Sequence, residues 1–392
     1  MLLSRIGAAV AVGTAVVIGA SPALAATGWT IAPPPPTGQN AAFTAVTTTS
    51  DSNAWAVGSE NAELNGVGAK ALIDHWNGSA WSQVATSATP GNTASLAAVS
   101  ASSTTDAWAV GRTQVNREDF EPLALHWNGA AWSVSSSAAT ALAGQIADGV
   151  TDISATDAYA IGGGLGSANT GLVAQWNGTA WSRVTVPQPS SDGLNSNLDA
   201  ISASGPNDVW IVGTYEDEIS STFFPNETYS LHWNGSTWSV VPMPLVGSSN
   251  VNAFFQFNSI QVNSPTDVWA VGDRGVTDSS SSTLIEHWNG KAWSIVPSPA
   301  PGSGSDLTGV TTSNAANDVW AVGLYDPTGS AQGQTLTLNW NGTAWVTVAS
   351  PNASSGFSVL DSVATTPGAA IVQAVGASGA SGATNPLAMQ NG

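Results

Sequence analysis

The sequence contains no cysteine. Disulfide bonds and thiolate zinc sites are therefore excluded. The folded chain must be held together by side-chain packing and backbone hydrogen bonds alone. Its 18 tryptophans supply large side chains for that packing and argue against a disordered chain.

Charged residues are also scarce, at 8% of the sequence, and their balance is acidic. Seven Lys and Arg oppose 26 Asp and Glu, which gives a formal net charge of −19. A surface of this kind repels phosphate groups, so we expect no nucleic-acid partner and no binding to anionic lipid. It favours neutral molecules and cations as partners.

The one long apolar run lies at the N-terminus. Arg5 is the only charge before an apolar stretch over residues 6–20, and Ala23-Leu24-Ala25 supplies a small-x-small cleavage pattern. Residues 1–25 are therefore predicted to be a signal peptide, and the mature protein to be secreted and extracellular. A membrane anchor is the alternative, but the run is short and ends at a Ser-Pro pair. No later run approaches the roughly 20 residues that a membrane span requires, so we expect none.

A short motif, Asn-Gly-x-x-Trp, recurs along the chain. Its six complete copies end at Trp81, Trp132, Trp181, Trp238, Trp293 and Trp345. The chain ends on Asn391-Gly392, and the predicted mature part begins near Gly28-Trp29, so a seventh copy is divided between the two ends. A closed ring of seven repeats leaves this arrangement in a linear sequence.

Every tryptophan belongs to one of three columns of equivalent positions. The first column holds Trp55, Trp108, Trp210, Trp269 and Trp320, with Tyr159 and Gln373 in the other two repeats. The second column precedes Asn-Gly and holds Trp76, Trp127, Trp176, Trp233, Trp288 and Trp340, with Gln390 expected in the seventh place. The third column consists of Trp29 and the six tryptophans that end the motif.

Each repeat contains four segments with strand patterning, and the Asn-Gly pair predicts a hairpin between the third and fourth. Seven such units predict an all-β, seven-bladed β-propeller with four-stranded antiparallel blades over residues 26–392. An open solenoid is the alternative, but it has no reason to divide a repeat between the termini. We expect residues 28–32 to complete the last blade, alongside strands near 357–363, 371–376 and 387–390, and so to close the ring.

The repeated phrases Asp-Val-Trp-Ala-Val-Gly and His-Trp-Asn-Gly-x-x-Trp resemble those of secreted bacterial seven-bladed β-propellers. The likeness covers residues 28–392, although the last blade keeps only Ala374-Val375-Gly376 and Asn391-Gly392. The chain is also loosely similar to kelch or galactose-oxidase-like and Asp-box propellers. The resemblance implies the fold but no single activity, and the cross-linked cofactor of galactose oxidase would need a cysteine.

The repeated polar and aromatic residues are expected to be structural. We expect the tryptophans to pack between blades, with the third column, near the rim, as the exception that contacts a ligand. The four histidines share one position, which places them one per blade and predicts a hydrogen bond on the outer strands. They are His75, His126, His232 and His287. The aspartates before the second strand are expected to bond turn amides.

The symmetry breaks in the fourth repeat, whose two connections on one face of the ring are longer than their counterparts. Because loops carry sites on rigid scaffolds, we predict a ligand-binding patch where these connections meet. Its acidic residues are Glu216, Asp217, Glu218 and Glu227, and its aromatic residues are Phe223, Phe224, Phe254, Phe255 and Phe257. The phenylalanines could instead pack the loops onto the ring, and the acids could be solvated.

The function predicted from these features is a non-catalytic binding or scaffold protein, a monomer without a cofactor, whose partner is an extracellular glycan. Export, a neutral-to-acidic surface and the lack of convergent catalytic groups favour it. One alternative is a polysaccharide hydrolase or lyase that uses the acids of the fourth blade. Another is a ring in the cell envelope that binds an extracellular protein. The same acids could hold Ca²⁺, which takes six to eight oxygen ligands.

Overall fold

The computed structural model describes most of the predicted mature chain. The described residues are 28–62, 68–86, 93–115, 119–164, 170–189, 196–216, 226–244, 253–276, 281–313, 318–328, 332–366, 368–380 and 383–392. The predicted signal peptide lies outside them.

Nearly all regular structure in the described residues is β-strand. The strands are β1 (Thr30–Ile31), β2 (Ala42–Ser50), β3 (Asn53–Glu60), β4 (Lys70–Trp76), β5 (Trp81–Gln83), β6 (Thr93–Ser103), β7 (Asp106–Gln114), β8 (Phe120–Trp127), β9 (Trp132–Val134), β10 (Gln145–Ser154), β11 (Asp157–Gly164), β12 (Leu172–Trp176), β13 (Trp181–Val184), β14 (Ser196–Gly205), β15 (Asp208–Glu216), β16 (Asn226–Trp233), β17 (Trp238–Pro242), β18 (Ala253–Ser264), β19 (Asp267–Val276), β20 (Ser282–Trp288), β21 (Trp293–Ile295), β22 (Gly304–Thr312), β23 (Val319–Asp326), β24 (Gln334–Trp340), β25 (Trp345–Thr347), β26 (Phe357–Ala364), β27 (Val372–Ala380) and β28 (Ala383–Asn391). A short helix, α1 (Ser136–Ala141), precedes β10. No helix within the described ranges is long and apolar enough to cross a bilayer.

These strands form seven antiparallel sheets of four strands each. Blades 1 to 6 are β2–β5, β6–β9, β10–β13, β14–β17, β18–β21 and β22–β25. In each of them the strands follow one another in chain order. The first strand of each blade contacts the first strands of neighbouring blades, so these strands line the inside of the ring. The predicted seven-bladed propeller is confirmed.

Blade 7 joins the two ends of the chain. Its strand order is β26-β27-β28-β1, so the N-terminal strand supplies the outermost position. Thr30 pairs with Gln390, Ile31 pairs with Met389, and the Ala32 amide donates to the Ala388 carbonyl at 2.9 Å. This is the predicted closure of the ring.

The register of blade 7 differs by one residue from the sequence prediction. In blade 1 the partner of His75 is Ser82, and the residue equivalent to Ser82 in blade 7 is Thr30. Because Thr30 pairs with Gln390, Gln390 occupies the histidine position and Asn391 the second-column position. The assignment of Gln390 to the second column was wrong, since the letters Asn-Gly at the C-terminus suggested a phase that the strand pairing does not follow.

The second strand of each blade carries a glycine at the point where the first strand approaches it most closely. Gly111 pairs with Leu96, and a Cβ atom at Gly111 would overlap the carbonyl oxygen of Ser95. The residue after Leu96 forms a β-bulge, which turns the inner strand at this point. The same glycine and bulge recur in the other blades.

Tryptophans from adjacent blades pack against one another. Trp55 of blade 1 contacts Trp127 and Trp132 of blade 2, with ring centroids 4.8 and 5.1 Å apart. First-column Trp108, Trp210 and Trp269 each contact two tryptophans of the following blade in the same way. Each buried indole removes about 150–250 Å² from water. The predicted role in blade-to-blade packing is therefore observed.

The third column is not the exception that we expected. Trp132 is 1% exposed, and of this column only Trp238 is more than 5% exposed. Trp132 lies opposite Trp127 across the hairpin, and directly opposed residues point to the same side of a sheet. Both indoles therefore face blade 1, and it is the second column that retains more exposure.

Two carboxyl groups are buried between blades without partners. Asp74 on β4 and Glu286 on β20 occupy equivalent positions and are fully buried, and none of their carboxyl oxygens has a hydrogen-bond partner. Burial raises the pKa of Glu286 to about 8 and, with the nearby negative charge of Glu60, that of Asp74 to about 7. Blades 2, 4 and 6 place Leu125, Leu231 and Leu338 at this position.

Replacing Glu286 with leucine should stabilise the protein, because it removes an unsatisfied buried polar group. Because the pKa of Glu286 is raised from 4.5 to about 8, the buried carboxyl is neutral and costs least below pH 4.5. The free energy of unfolding then falls as the pH rises toward about 8. Glu286→Leu should therefore raise the free energy of unfolding by about 1–3 kcal/mol at pH 9, and by less at pH 4. Denaturant unfolding at both pH values measures this, with the exposed-site change Glu121→Gln as a control. A loss of stability at pH 9 would contradict the assignment.

Candidate functional site

The patch predicted on blade 4 falls largely outside the described residues. Asp217, Glu218, Phe223 and Phe224 are among those that the structure does not describe. Glu216 is the last residue of β15 and pairs with Asn226. The convergence of these acids on a ligand therefore stays a prediction.

The described members of that patch lie on two different strands. Glu227 is partly exposed on β16, whereas the three phenylalanines are on β18, the inner strand of blade 5. Phe254 is partly exposed, Phe255 is buried, and Phe257 is fully buried. Phe257 belongs to the core between blades 4 and 5 with Trp210 and Val212, so its role is packing.

The innermost strands carry a ring of seven equivalent residues, one at each β-bulge. In blade order they are Thr44, Ala97, Asp148, Asp199, Asn258, Thr308 and Asp361. We call them the bulge ring. They lie near the beginning of each inner strand, toward the face on which the loops between second and third strands emerge. Six of the seven are polar, and the exception is Ala97 of blade 2.

A cavity of about 300 Å³ opens beside this alanine. Blades 1, 2 and 3 all contribute to its wall. The polar side chains that line it are Thr44, Ser59, Ser95, Arg112 and Asp148, and the rest of the wall is Leu96, Ala97, Gly111, Ile146 and Ala147. The cavity therefore lies where the bulge ring has its smallest side chain.

Arg112 brings a positive charge to a strongly acidic protein. It follows Gly111 on β7, and its guanidinium carbon lies 4.8 Å from the ring centroid of Phe120 on the neighbouring strand β8. A guanidinium over an aromatic face is attracted to the ring. This contact holds the side chain at the edge of the cavity.

Asp148 supplies a carboxyl group opposite in sign. Its Oδ2 accepts a hydrogen bond from the Gly163 amide at 2.9 Å. Burial raises the pKa of Asp148 to about 6, although this bond and the charge of Arg112 act in the other direction. The carboxyl therefore changes its charge near pH 6.

Asp199 of blade 4 lies next to Asp148. Burial and the negative charge of Asp148 raise the pKa of Asp199 to about 7, while a hydrogen bond from Thr214 lowers it. Its Oδ2 is buried and has no hydrogen-bond partner. Blades 2 to 4 thus bring together the guanidinium of Arg112 and the carboxyls of Asp148 and Asp199, whose pKa values are both raised.

This arrangement suits recognition of a polar molecule. The guanidinium only donates hydrogen bonds, an ionised carboxylate only accepts them, and the serine and threonine hydroxyls do both. Among the residues that the structure describes, no group of three or more His, Asp or Glu side chains is placed to hold a metal ion. The predicted Ca²⁺ site on blade 4 stays a prediction.

The bulge ring was not predicted from the sequence, because no particular residue type marks a β-bulge. A signal was nevertheless present in the repeats. The residue before each bulge is apolar: Phe43, Leu96, Ala147, Leu198, Phe257, Leu307 and Leu360. Aligning the repeats on these residues would have shown the alanine in blade 2.

The histidines form the expected hydrogen bonds and link the second strand of a blade to the third. His126 Nε2 lies 2.7 Å from Asp106 Oδ1, and the pairs His232–Asp208 and His287–Asp267 have distances of 2.8 and 2.7 Å. In blade 1 the partner of His75 is Asn53, at 2.7 Å. Each histidine also packs on the first-column tryptophan of its blade. They lie one per blade and form a structural network.

The aspartates of this network have side-chain partners where we expected turn amides. Asp106 accepts from His126 and, at 2.6 Å, from the hydroxyl of Ser102. Blades 3 and 6 keep the same link with amide side chains, since Gln175 donates to Asp157 at 3.0 Å and Asn339 to Asp318 at 2.7 Å. The position requires a donor, and a histidine is one way to supply it.

Comparisons with known proteins identify the fold. No family model matches the sequence, and no curated protein matches it. An ulvan lyase of polysaccharide lyase family PL25 superposes with a TM-score of 0.57 at 11% identity, over 89% of this chain and 94% of that one. YCF48 bound to D1 peptide gives 0.54 at 14% identity over 94% and 96%, and polysaccharide lyase Uly1 gives 0.54 at 11% over 91% and 90%. At such identity the likeness establishes a common fold and nothing finer.

Substitutions at His287 test whether the network is structural. His287→Gln keeps a donor, as Gln175 does in blade 3, and should cost less than about 0.5 kcal/mol of stability. His287→Leu leaves Asp267 without this partner and should cost about 1–3 kcal/mol. Denaturant unfolding at neutral pH measures both changes. Equal costs for glutamine and leucine would contradict the role given to the hydrogen bond.

Proposed function

We propose that this protein is a secreted, non-catalytic β-propeller that binds an extracellular glycan at the mouth of its ring. The carrying observation is the cavity at Ala97, which is bordered by the guanidinium of Arg112 and the carboxyl of Asp148. The binding site lies between blades 1 and 3 in this proposal.

The composition of the cavity fits a sugar. Sugar hydroxyls both donate and accept hydrogen bonds, so they are matched by a mixture of Arg112, Asp148 and the hydroxyls of Thr44, Ser59 and Ser95. A volume of about 300 Å³ lies at the lower end of the range of small-molecule sites, which suits one sugar ring or the end of a chain. The ring of Phe120 lies against the guanidinium of Arg112 and adds an apolar surface beside that charged donor.

The charge of the protein narrows the class of glycan. A net charge of −19 opposes the approach of a long polyanion. Arg112 still offers one cation locally, so a neutral saccharide, or one with a single carboxylate, is the ligand that fits best. A propeller of this fold can hold a polysaccharide: an ulvan lyase with a TM-score of 0.56 to this chain was solved bound to -[GlcA(1-4)Rha3S]-.

Catalysis on a polysaccharide is the second candidate. It is favoured by the neighbouring carboxyls of Asp148 and Asp199, whose pKa values of about 6 and 7 would let one of them hold a proton at neutral pH. The blade 4 acids Glu216, Glu218 and Glu227 are the other candidates for this role. Turnover of the bound glycan into unsaturated or reducing ends would establish the enzyme over the binding protein.

Ala97→Thr tests the binding site directly. Threonine occupies the same position in blades 1 and 6, so the change should fold normally while it fills the cavity. We expect the dissociation constant for a glycan found by array screening to rise at least tenfold, which corresponds to about 1.4 kcal/mol. Isothermal titration calorimetry measures this.

Two further variants frame the result. Arg112→Gln should weaken binding to a similar degree, because it removes the charged donor. Arg274→Gln changes an exposed arginine on blade 5 and should leave binding unaltered. If Ala97→Thr and Arg112→Gln bind like the unmodified protein, the ligand lies elsewhere, and the blade 4 loops or an interaction with an extracellular protein take precedence.

A further inference from the structure

Hydrogen bonds between blades run around the bulge ring. The Thr44 hydroxyl donates to the carbonyl oxygen of Leu96 in the next blade at 2.8 Å. The Asn258 amide donates to Leu307 at 2.9 Å, and the Thr308 hydroxyl donates to Leu360 at 2.6 Å. In all three cases the acceptor is the residue immediately before the bulge of the following blade. The position therefore supplies a donor that ties one blade to the next.

Blades 4 and 7 place a carboxyl group at this position. For Asp199 of blade 4, the acceptor equivalent to Leu96 is the carbonyl oxygen of Phe257 in blade 5. For Asp361 of blade 7, it is the carbonyl oxygen of Phe43 in blade 1. An ionised carboxylate cannot donate a hydrogen bond. A carboxyl that replaces threonine or asparagine here can make the same bond only when it is protonated.

The surroundings of Asp199 leave one oxygen available for this bond. Thr214, on β15 of the same blade, donates to the carboxyl, while Oδ2 is buried without a partner. The titratable groups nearby are Asp148 of blade 3 and Tyr229 of β16. Asp148 disfavours the ionised form of Asp199 because it is acidic, whereas Tyr229 is neutral, since burial keeps its pKa well above its usual range. The charge of Arg112 acts on Asp148 and lowers its pKa, and no cation among the described residues contributes to the pKa of Asp199.

Asp361 stands in simpler surroundings. Its own blade places Ala377 where blade 4 has Thr214, and alanine offers no side-chain donor. Burial raises the pKa of Asp361 to about 7, and no charged side chain in the described ranges contributes to that rise. The remaining carboxyl of the ring behaves differently, because Asp148 accepts from the Gly163 amide of its own blade.

We propose that Asp199 and Asp361 are protonated in the folded ring and donate hydrogen bonds to the carbonyl oxygens of Phe257 and Phe43. Five of the seven blades then use the same bond to the next blade, through a hydroxyl, an amide or a protonated carboxyl. The ring is consequently strengthened by acid. This inference concerns the scaffold and does not depend on which ligand the protein binds.

The direction of the pH effect follows from the raised pKa values. The pKa of each carboxyl is 3.8 in the unfolded chain and about 7 in the folded ring. The folded state therefore holds more protons between these values, and stability falls as the pH rises. The contribution is fully present below pH 3.8 and is lost by about pH 7. The buried Asp74, Asp152 and Glu286 add to this trend, so the test must isolate the two ring positions.

The experiment compares the melting temperature at pH 5 and pH 8 for the unmodified protein and for the double variant Asp199→Asn/Asp361→Asn. Asparagine donates at either pH, as Asn258 does in blade 5. The unmodified protein should melt lower at pH 8, and the double variant should reduce that difference by about 3–6 °C. Glu121→Gln, at an exposed acid, should leave the difference unchanged.

A second pair of measurements protects the test against a variant that fails to fold. Asp199→Ala/Asp361→Ala removes the donor and should melt lower than the asparagine variant at pH 5. Carbon-13 NMR of the aspartate carboxyls in the unmodified protein should show, besides Asp74 and Asp152, two further groups with pKa values near 7. Those two signals should be absent from the asparagine variant. The proposal is overturned if the asparagine variant keeps the full pH difference, or if both carboxyls titrate near pH 4.

Discussion

The structure depends on packing between neighbouring blades. Without cysteine, adjacent sheets adhere through indoles such as Trp55 against Trp127 and Trp132, and the pattern repeats around the ring. This packing is complete only when blade 7 also meets blade 1. The two-residue strand β1 contributes to this packing on the other side of blade 7. It places Trp29 against Trp320 of blade 6, with ring centroids 5.5 Å apart.

The repeats divide into residues that maintain this scaffold and residues that depart from it. Each histidine, with its aspartate or asparagine partner, holds two strands together and packs on a tryptophan, so the repetition of this pattern among the blades reflects stability. Departures occur at the bulge ring, where Ala97 opens a cavity and carboxyls replace neutral donors. The ligand recognition and the response to acid that we propose would therefore share the same inner surface. A rigid ring can carry both because neither alters the packing between sheets.

The fold could be predicted from the sequence because a sevenfold repeat constrains it many times over. The Asn-Gly hairpins and the divided motif at Trp29 gave the blade count and the closure, and strand pairing confirmed them. Two finer predictions were wrong because the sequence motif does not fix the strand geometry. Gln390 was placed one residue out of register, and the third-column tryptophans are buried where we expected ligand contact. The cavity at Ala97 could not be predicted from loop length, because Ala97 and Asp148 lie at β-bulges of the inner strands and not in the connections. The patch predicted on blade 4 stays a prediction.

Closure of the ring by residues 28–32 is tested most directly by removing them. Calorimetric unfolding of the chain from residue 28 should be compared with that of a chain beginning at residue 33, under the same conditions. The closed ring should melt in one cooperative transition, and the shortened chain at least about 10 °C lower or in a broad transition, since an open blade exposes Trp320 and the edge of β28. An unchanged melting temperature and an equally sharp transition would contradict the account.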